Sequence, residues 1–189
     1  PEAEARVEAE AWRAKHEASY QREWSTIAGL HFLVEGAQTA GSAPTNAVVL
    51  PPAAPPRLGV FTLTGETVRF EPAPGTSVTL NGQALTGSTA LADDAGPHAD
   101  ELAAGAIRLV VHRSGARRSL RVWDPDGPQA KSFLGFRWFD IQPAARVIGR
   151  FERDAAPRTL RVPNTFGDLD EFTTEGVVAF TINGQAVRL

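Results

Sequence analysis

Two periodicities divide the chain. Over residues 3–24, Trp12, His16, Tyr20 and Trp24 recur every fourth position, and Val7, Ala11, Ala14 and Ala18 run beside them. Positions one turn apart share a helix face. The stretch lacks Gly and Pro and is rich in Ala, Glu, Arg and Lys, which are good helix formers. Glu2 and Arg6 form an i,i+4 pair in the favourable order. The pattern predicts one N-terminal α-helix. Its aromatic stripe is expected to pack on a sheet, because a helix must bury its apolar side somewhere.

From Asn46 onward the texture is that of strands. Residues 47–50, 60–63, 68–71, 78–80, 84–85, 107–112, 119–123, 136–141, 147–152, 159–162, 177–182 and 186–189 read as short strands. Asn81-Gly82 and Asn183-Gly184 give the strongest hairpin signals, since Asn and Gly tolerate the positive φ of a type I′ turn. Strands with turns about every ten residues indicate a sandwich or barrel. The expected fold is therefore mainly β, an antiparallel β-sandwich or open barrel with one N-terminal helix. Residues 1–45 are taken as the helix and its connection and 46–189 as the β domain, with two packed subdomains, 46–127 and 128–189, as a variant. Pro51, Pro52, Pro55 and Pro56 mark a stiff surface crossing. Thr79 to Leu85 echoes Thr181 to Val187, which reads as one hairpin reached twice, because no repeat-length period sustains it.

Composition narrows the chemistry. The chain has 189 residues, a net charge of −3 and no cysteine. Disulfides, thiolate metal sites and cysteine nucleophiles are excluded for these residues. Nucleic acid is disfavoured as a partner, because phosphate neutralisation needs clustered Lys and Arg. No apolar run approaches the ~20 residues that span a bilayer, and no signal-peptide pattern is visible. A cytoplasmic, soluble protein is the expectation. Methionine is absent and Leu189 follows the last hairpin directly, so the native protein is expected to extend beyond these residues.

Four dispersed histidines, His16, His31, His98 and His112, form no close ligand pair, so neither a metal nor another cofactor is expected. Asp93, Asp94, Asp100 and Glu101 read as a solvated acidic loop around His98, without calcium-loop spacing. No nucleophile elbow or phosphate-binding loop occurs. Arg118 alternates onto the apolar side of its strand, where a charge needs a partner, or else sits at the strand's exposed start. Arg121 and Asp124 could form an ion pair. The aromatic run 133–139 suits a core strand better than a pocket wall. His31, Arg121, Asp124 and Trp138 remain as candidate ligand-binding residues. Catalytic residues stay unassigned, although Asp140, Asp168, Asp170 and Glu171 are available for carboxylate chemistry.

Trp12-Arg13, Trp24, the segment from Gly29 to Gly41, Leu50-Pro51 and Gly59-Val60-Phe61 match the start of a family. Leu120-Arg121-Val122-Trp123-Asp124, Phe133-Leu134-Gly135 and Trp138-Phe139 match its middle. In this order, over about the whole chain, they resemble the bacterial domain of unknown function 1684 family. Members of that family generally continue into a part rich in Asp, Asn, Tyr, Pro and Cys, which these residues lack. The resemblance implies no site residue. The stretch from Val60 to Trp123 is also faintly similar to a forkhead-associated β-sandwich, without its Gly-Arg and Ser-x-x-His phosphothreonine motifs.

Two functions follow as expectations. One is a non-enzymatic module that binds a small molecule or a protein. The other is a hydrolase-like enzyme whose site is completed by a further C-terminal part. A deep pocket around the candidate residues would favour the enzyme, and a large exposed apolar patch the module. Neither the ligand nor the oligomeric state can be read from the chain.

Overall fold

The computed structural model describes residues 2–165 and 167–189. The element order is α1 (Glu2–Glu23), β1 (Ile27–Phe32), β2 (Gly36–Gly41), β3 (Val48–Val49), β4 (Gly59–Thr64), β5 (Thr67–Pro72), β6 (Thr79–Leu80) and β7 (Gln83–Ala84). It continues with β8 (Thr89–Leu91), β9 (Glu101–Ala104), β10 (Ile107–Ser114), β11 (Arg117–Trp123), a short α2 (Pro128–Ser132), β12 (Arg150–Pro163), β13 (Leu169–Ile182) and β14 (Gln185–Arg188). The chain forms two compact units, Glu17–Gly135 and Pro1–His16 with Phe136–Leu189.

The Glu17–Gly135 unit is a sandwich. One sheet runs β1-β11-β10-β9-β6-β7 and the other β3-β2-β4-β5-β8. Pairing is antiparallel except between β2 and β3. Alternation explains the layers, because successive strand residues face opposite sides. Phe61, Leu63, Val68 and Phe70 point inward from one sheet, and Leu102, Leu109, Val111, Leu120 and Val122 from the other. Phe61 and Phe70 meet at 4.6 Å between ring centroids. Gly59 is required beside them, since a Cβ there would meet the Glu71 carbonyl and the Phe70 ring.

The other unit holds a three-stranded antiparallel sheet, β12-β13-β14. The strands expected over 147–152 and 159–162 merge into β12, whose pairing with β13 is interrupted between Arg153 and Arg158. Both Asn-Gly turns form as expected, with φ of 51° at Asn81 and 50° at Asn183.

Two expectations need correction. The stretch 136–141 is not a strand. Its side chains turn to the helix instead: Trp138 packs on Trp12 at 5.8 Å and Phe136 on His16 at 5.7 Å. Correspondingly, the helix stripe does not pack on a sheet. Tyr20 meets Phe133 at 5.1 Å, while Trp12 and Trp24 stay 58% and 59% exposed. The rings of 133–138 give the helix stripe its contacts in place of a β surface and leave Trp12 and Trp24 largely exposed.

Candidate functional site

The end of α1 fixes one wall of a cavity in the sandwich unit. The last carbonyls of a helix lack internal donors. Here the Ser25 hydroxyl donates to the Gln21 carbonyl at 2.8 Å and the Thr26 hydroxyl to that of Arg22 at 2.7 Å. The Trp123 indole donates to the Glu23 carbonyl at 2.8 Å. The chain then turns directly into β1, an edge strand paired with β11.

Between this edge and the proline crossing lies a cavity of about 350 Å³. Ile27, Val49, Leu50 and Pro51 give it apolar walls, and Ser25, Thr26, His31, Asp124 and Gln129 are its polar groups. The size and lining suit a small ligand. Gly29 and His31 lie on the same face of β1, and the imidazole folds back so far that a Cβ on Gly29 would stand 2.7 Å from its Nε2. Burial pushes the His31 pKa down, because desolvation disfavours the charged form. Asp124 is 5% exposed. Its carboxylate accepts from the Asp126 amide at 3.0 Å, and its carbonyl from the Gly127 amide at 3.1 Å, which shapes the turn before α2.

His31 and Asp124 thus share one cavity, and Arg121 stands apart from them. It does not pair with Asp124. On the outer face of β11 its Nη1 lies 3.3 Å from Asp94 Oδ2, and its Nη2 lies 2.9 Å from His112 Nδ1. That nitrogen also lies 2.7 Å from Asp94 Oδ2. A guanidinium only donates, so Nδ1 cannot serve both, and the shorter contact makes it the donor to Asp94. Burial pushes the Asp94 pKa up, but hydrogen bonds from His112 and the Arg113 amide, with the His112 and Arg121 charges, outweigh it and hold it low. Trp138 belongs to the other unit, where the Arg13 guanidinium lies 5.3 Å from its ring.

The loop around His98 is exposed over residues 95–99, as the sequence suggested, but the acids flanking it are held by partners and not free in solvent. Asp93 lies 3.1 Å from Arg118 Nε, and Glu66 lies 3.6 Å from Arg118 Nη2. Asp100 accepts from Asn81 Nδ2 at 2.7 Å and from the Ala92 amide at 2.8 Å. Arg118 is 3% exposed, so its alternation onto the apolar side is real and the exposed-start reading fails.

A second surface escaped the sequence reading. Register places Phe151 beside Val178, Leu160 beside Phe172, and Val162 beside Asp170, with Val187 beside Phe180. Partners in register share a face, so one side of β12-β13-β14 is mainly apolar, with Arg153 and Arg158 opposite Gly176 and Thr174 in its middle and Asp170 at its end. Phe151, Leu160, Val162, Phe172, Val178 and Leu189 are all substantially exposed on it. The opposite side carries charge pairs, Arg161 with Glu171 at 2.8 Å and Arg188 with Glu152 at 2.8 Å. Alternation at Leu160, Val162 and at Phe172 was the available signal, hidden because half of β13 was not recognised as strand.

No family model matches the chain, and no curated protein does. Among solved structures, it is similar to the FHA domain of FhaA, determined in complex with the intracellular domain of Rv3910. That match has 16% identity and a TM-score of 0.35, and covers 49% of this chain and 96% of that one. Nothing about function follows from a likeness of this size. Among the described residues, no helix is long and apolar enough to cross a membrane.

Proposed function

We propose that the chain is a protein-interaction module whose contact surface is the apolar face of β12-β13-β14. One observation carries this reading: Phe172, at 54% exposure, is the centre of an apolar sheet face whose reverse side is charged. Sheets that bury one face read in this way, and contiguous exposed apolar patches mark interaction sites. The partner is a protein, because the surface is a flat sheet face and not a concavity. The test is photo-crosslinking from p-benzoylphenylalanine placed at Phe172 or, as a control on the charged side, at Glu171, in cells of the native source. A discrete adduct from position 172 and none from 171 is expected. Equal labelling from both positions, or from neither, rejects the reading.

A hydrolase-like enzyme completed outside these residues is the second reading, and His31 favours it. An imidazole kept neutral by burial, in a cavity that a carboxylate also lines, is suited to act as a base. Against it, the nearby Ser25 and Thr26 hydroxyls are already donated to helix carbonyls, so no nucleophile is presented to His31. Esterase and phosphatase activity lost in both His31→Gln and Asp124→Asn would restore the enzyme reading.

A further inference from the structure

We infer that the cavity between β1 and the proline crossing is a binding site for a small organic cation, a primary ammonium carried on an apolar body. The inference is independent of the apolar-face reading, since every residue lining the cavity lies within the Glu17–Gly135 unit. Charge, hydrogen-bonding sense and wall chemistry point the same way.

Asp124 is the one carboxylate on the wall, and no lysine or arginine lines the cavity. The residue is 5% exposed. Its Oδ1 accepts from the Asp126 amide and so serves the turn. Among the described residues, Oδ2 takes no hydrogen bond and Asp124 has no ion-pair partner. Among the same residues, the one fully enclosed side-chain polar atom without a hydrogen bond is Arg118 Nε. Asp124 Oδ2 therefore keeps some open surface, and the cavity is what Asp124 borders. A carboxylate withdrawn from water is costly unless a cation or donors meet it.

The other polar groups offer mainly lone pairs. A hydroxyl has one hydrogen and two lone pairs. Ser25 and Thr26, 3% and 9% exposed, direct their hydrogens to the Gln21 and Arg22 carbonyls. Toward the cavity their oxygens can only accept. The His31 ring, kept neutral by burial, adds one lone pair, and Gln129 adds an amide oxygen. A wall of acceptors with a single negative charge matches an ammonium, which has three N–H donors and no acceptor. It mismatches a carboxylate or phosphate, which would find no cation there. Among the described residues no three His, Asp or Glu side chains are grouped to hold a metal ion. Ile27, Val49, Leu50 and Pro51 suit an apolar body, and a volume of about 350 Å³ suits a small one.

The probes are isoamylammonium, cyclohexylmethylammonium and phenethylammonium chlorides, each beside the alcohol of the same skeleton. NMR titration of the whole chain reads the Gln129 side-chain amide and the His31 ring. At least one ammonium should saturate these shifts, with a Kd at least tenfold below that of its alcohol. Asp124→Asn keeps an oxygen for the Asp126 amide and removes the charge. It should weaken that ammonium at least tenfold and leave the alcohol unchanged. Gln129→Lys, at an exposed position of α2, sets a cation beside the cavity without touching the turn, and should weaken the ammonium equally. If Asp124→Asn does not fold, Gln129→Lys decides. An alcohol that binds as tightly as its ammonium leaves a plain apolar cavity and overturns the inference. Ammonium binding that survives the substitutions, or shifts confined to other residues, overturns it too. So does the absence of saturation for all three probes at about 10 mM.

Discussion

Phe61 and Phe172 are the same side chain in two kinds of sheet. Phe61 is fully buried between two layers, against Phe70. Phe172 stands on a single layer, more than half exposed. The sandwich unit closes its apolar residues away and even draws Arg118 into its interior, matched by Asp93. The three-stranded sheet gathers most of its charge pairs on one side and leaves the mainly apolar side, with Phe172 on it, exposed. Closure of the first kind makes a domain stable, and an opening of the second kind needs an occupant, so the contrast separates scaffold from contact surface.

The contrast predicts a large asymmetry in stability. Phe61→Ala should destabilise the chain by about 3–5 kcal/mol, since it leaves a cavity in a closed core. Phe172→Ala should change stability by no more than about 0.5 kcal/mol, the range of surface substitutions. Urea denaturation of both variants measures the difference, and equal losses would erase the distinction between the two sheets.

Asp93→Asn comes next. Among the described residues, it leaves the buried Arg118 charge only the exposed Glu66 as an acidic neighbour, and breaking a buried pair costs about 3–5 kcal/mol. The distant Glu66 places the expected loss at the lower end. Asp93→Asn with Arg118→Met should recover much of it, because removing both charges removes the uncompensated one.

A smaller effect concerns His31. Its folded pKa is depressed, so the unfolded chain binds its proton more readily than the native one. The stability it contributes is present above the unfolded value of about 6.5 and is lost as pH falls through the folded value. His31→Gln should flatten that part of the pH–stability curve. A curve unchanged from wild type would mean the ring is not held in the cavity. Gly29→Ala should cost little stability, since the Cβ meets only the tip of the imidazole. It should instead push the ring outward and return its pKa toward the ordinary value, read by NMR titration.

The sandwich was legible in part: strands beside clear turns announce themselves locally, while β1, β2, β8 and β9 were not read as strands. Both Asn-Gly turns, the alternation at 60–63 and 68–71, and the aromatic helix stripe each needed only short windows. Alternation offered Arg118 as a charge on an apolar side, but did not separate that from an exposed start of the strand. What failed depended on tertiary partners. The run around Trp138 is aromatic enough to read as a core strand, yet the helix offered its rings a closer surface. Asp93 and Asp94 looked solvated because Arg118 and His112 reach them from strands far along the chain. β13 was half missed because Glu171, Thr173 and Glu175 dilute its apolar residues. Among the candidate residues, His31 and Asp124 line one cavity, brought there by an edge strand and the turn after β11 that no spacing rule joins, while Arg121 and Trp138 lie elsewhere.

The central claim is that the apolar face of β12-β13-β14 is open in the isolated chain. The direct measurement is the folding stability of Phe172→Lys beside Thr173→Lys, on the apolar and charged sides of the same strand. If the face is open, both variants lose less than about 0.5 kcal/mol, and only Phe172→Lys lowers binding of an apolar dye to the native protein. A loss of several kcal/mol confined to Phe172→Lys would show that the isolated chain already covers this face, and would contradict the account.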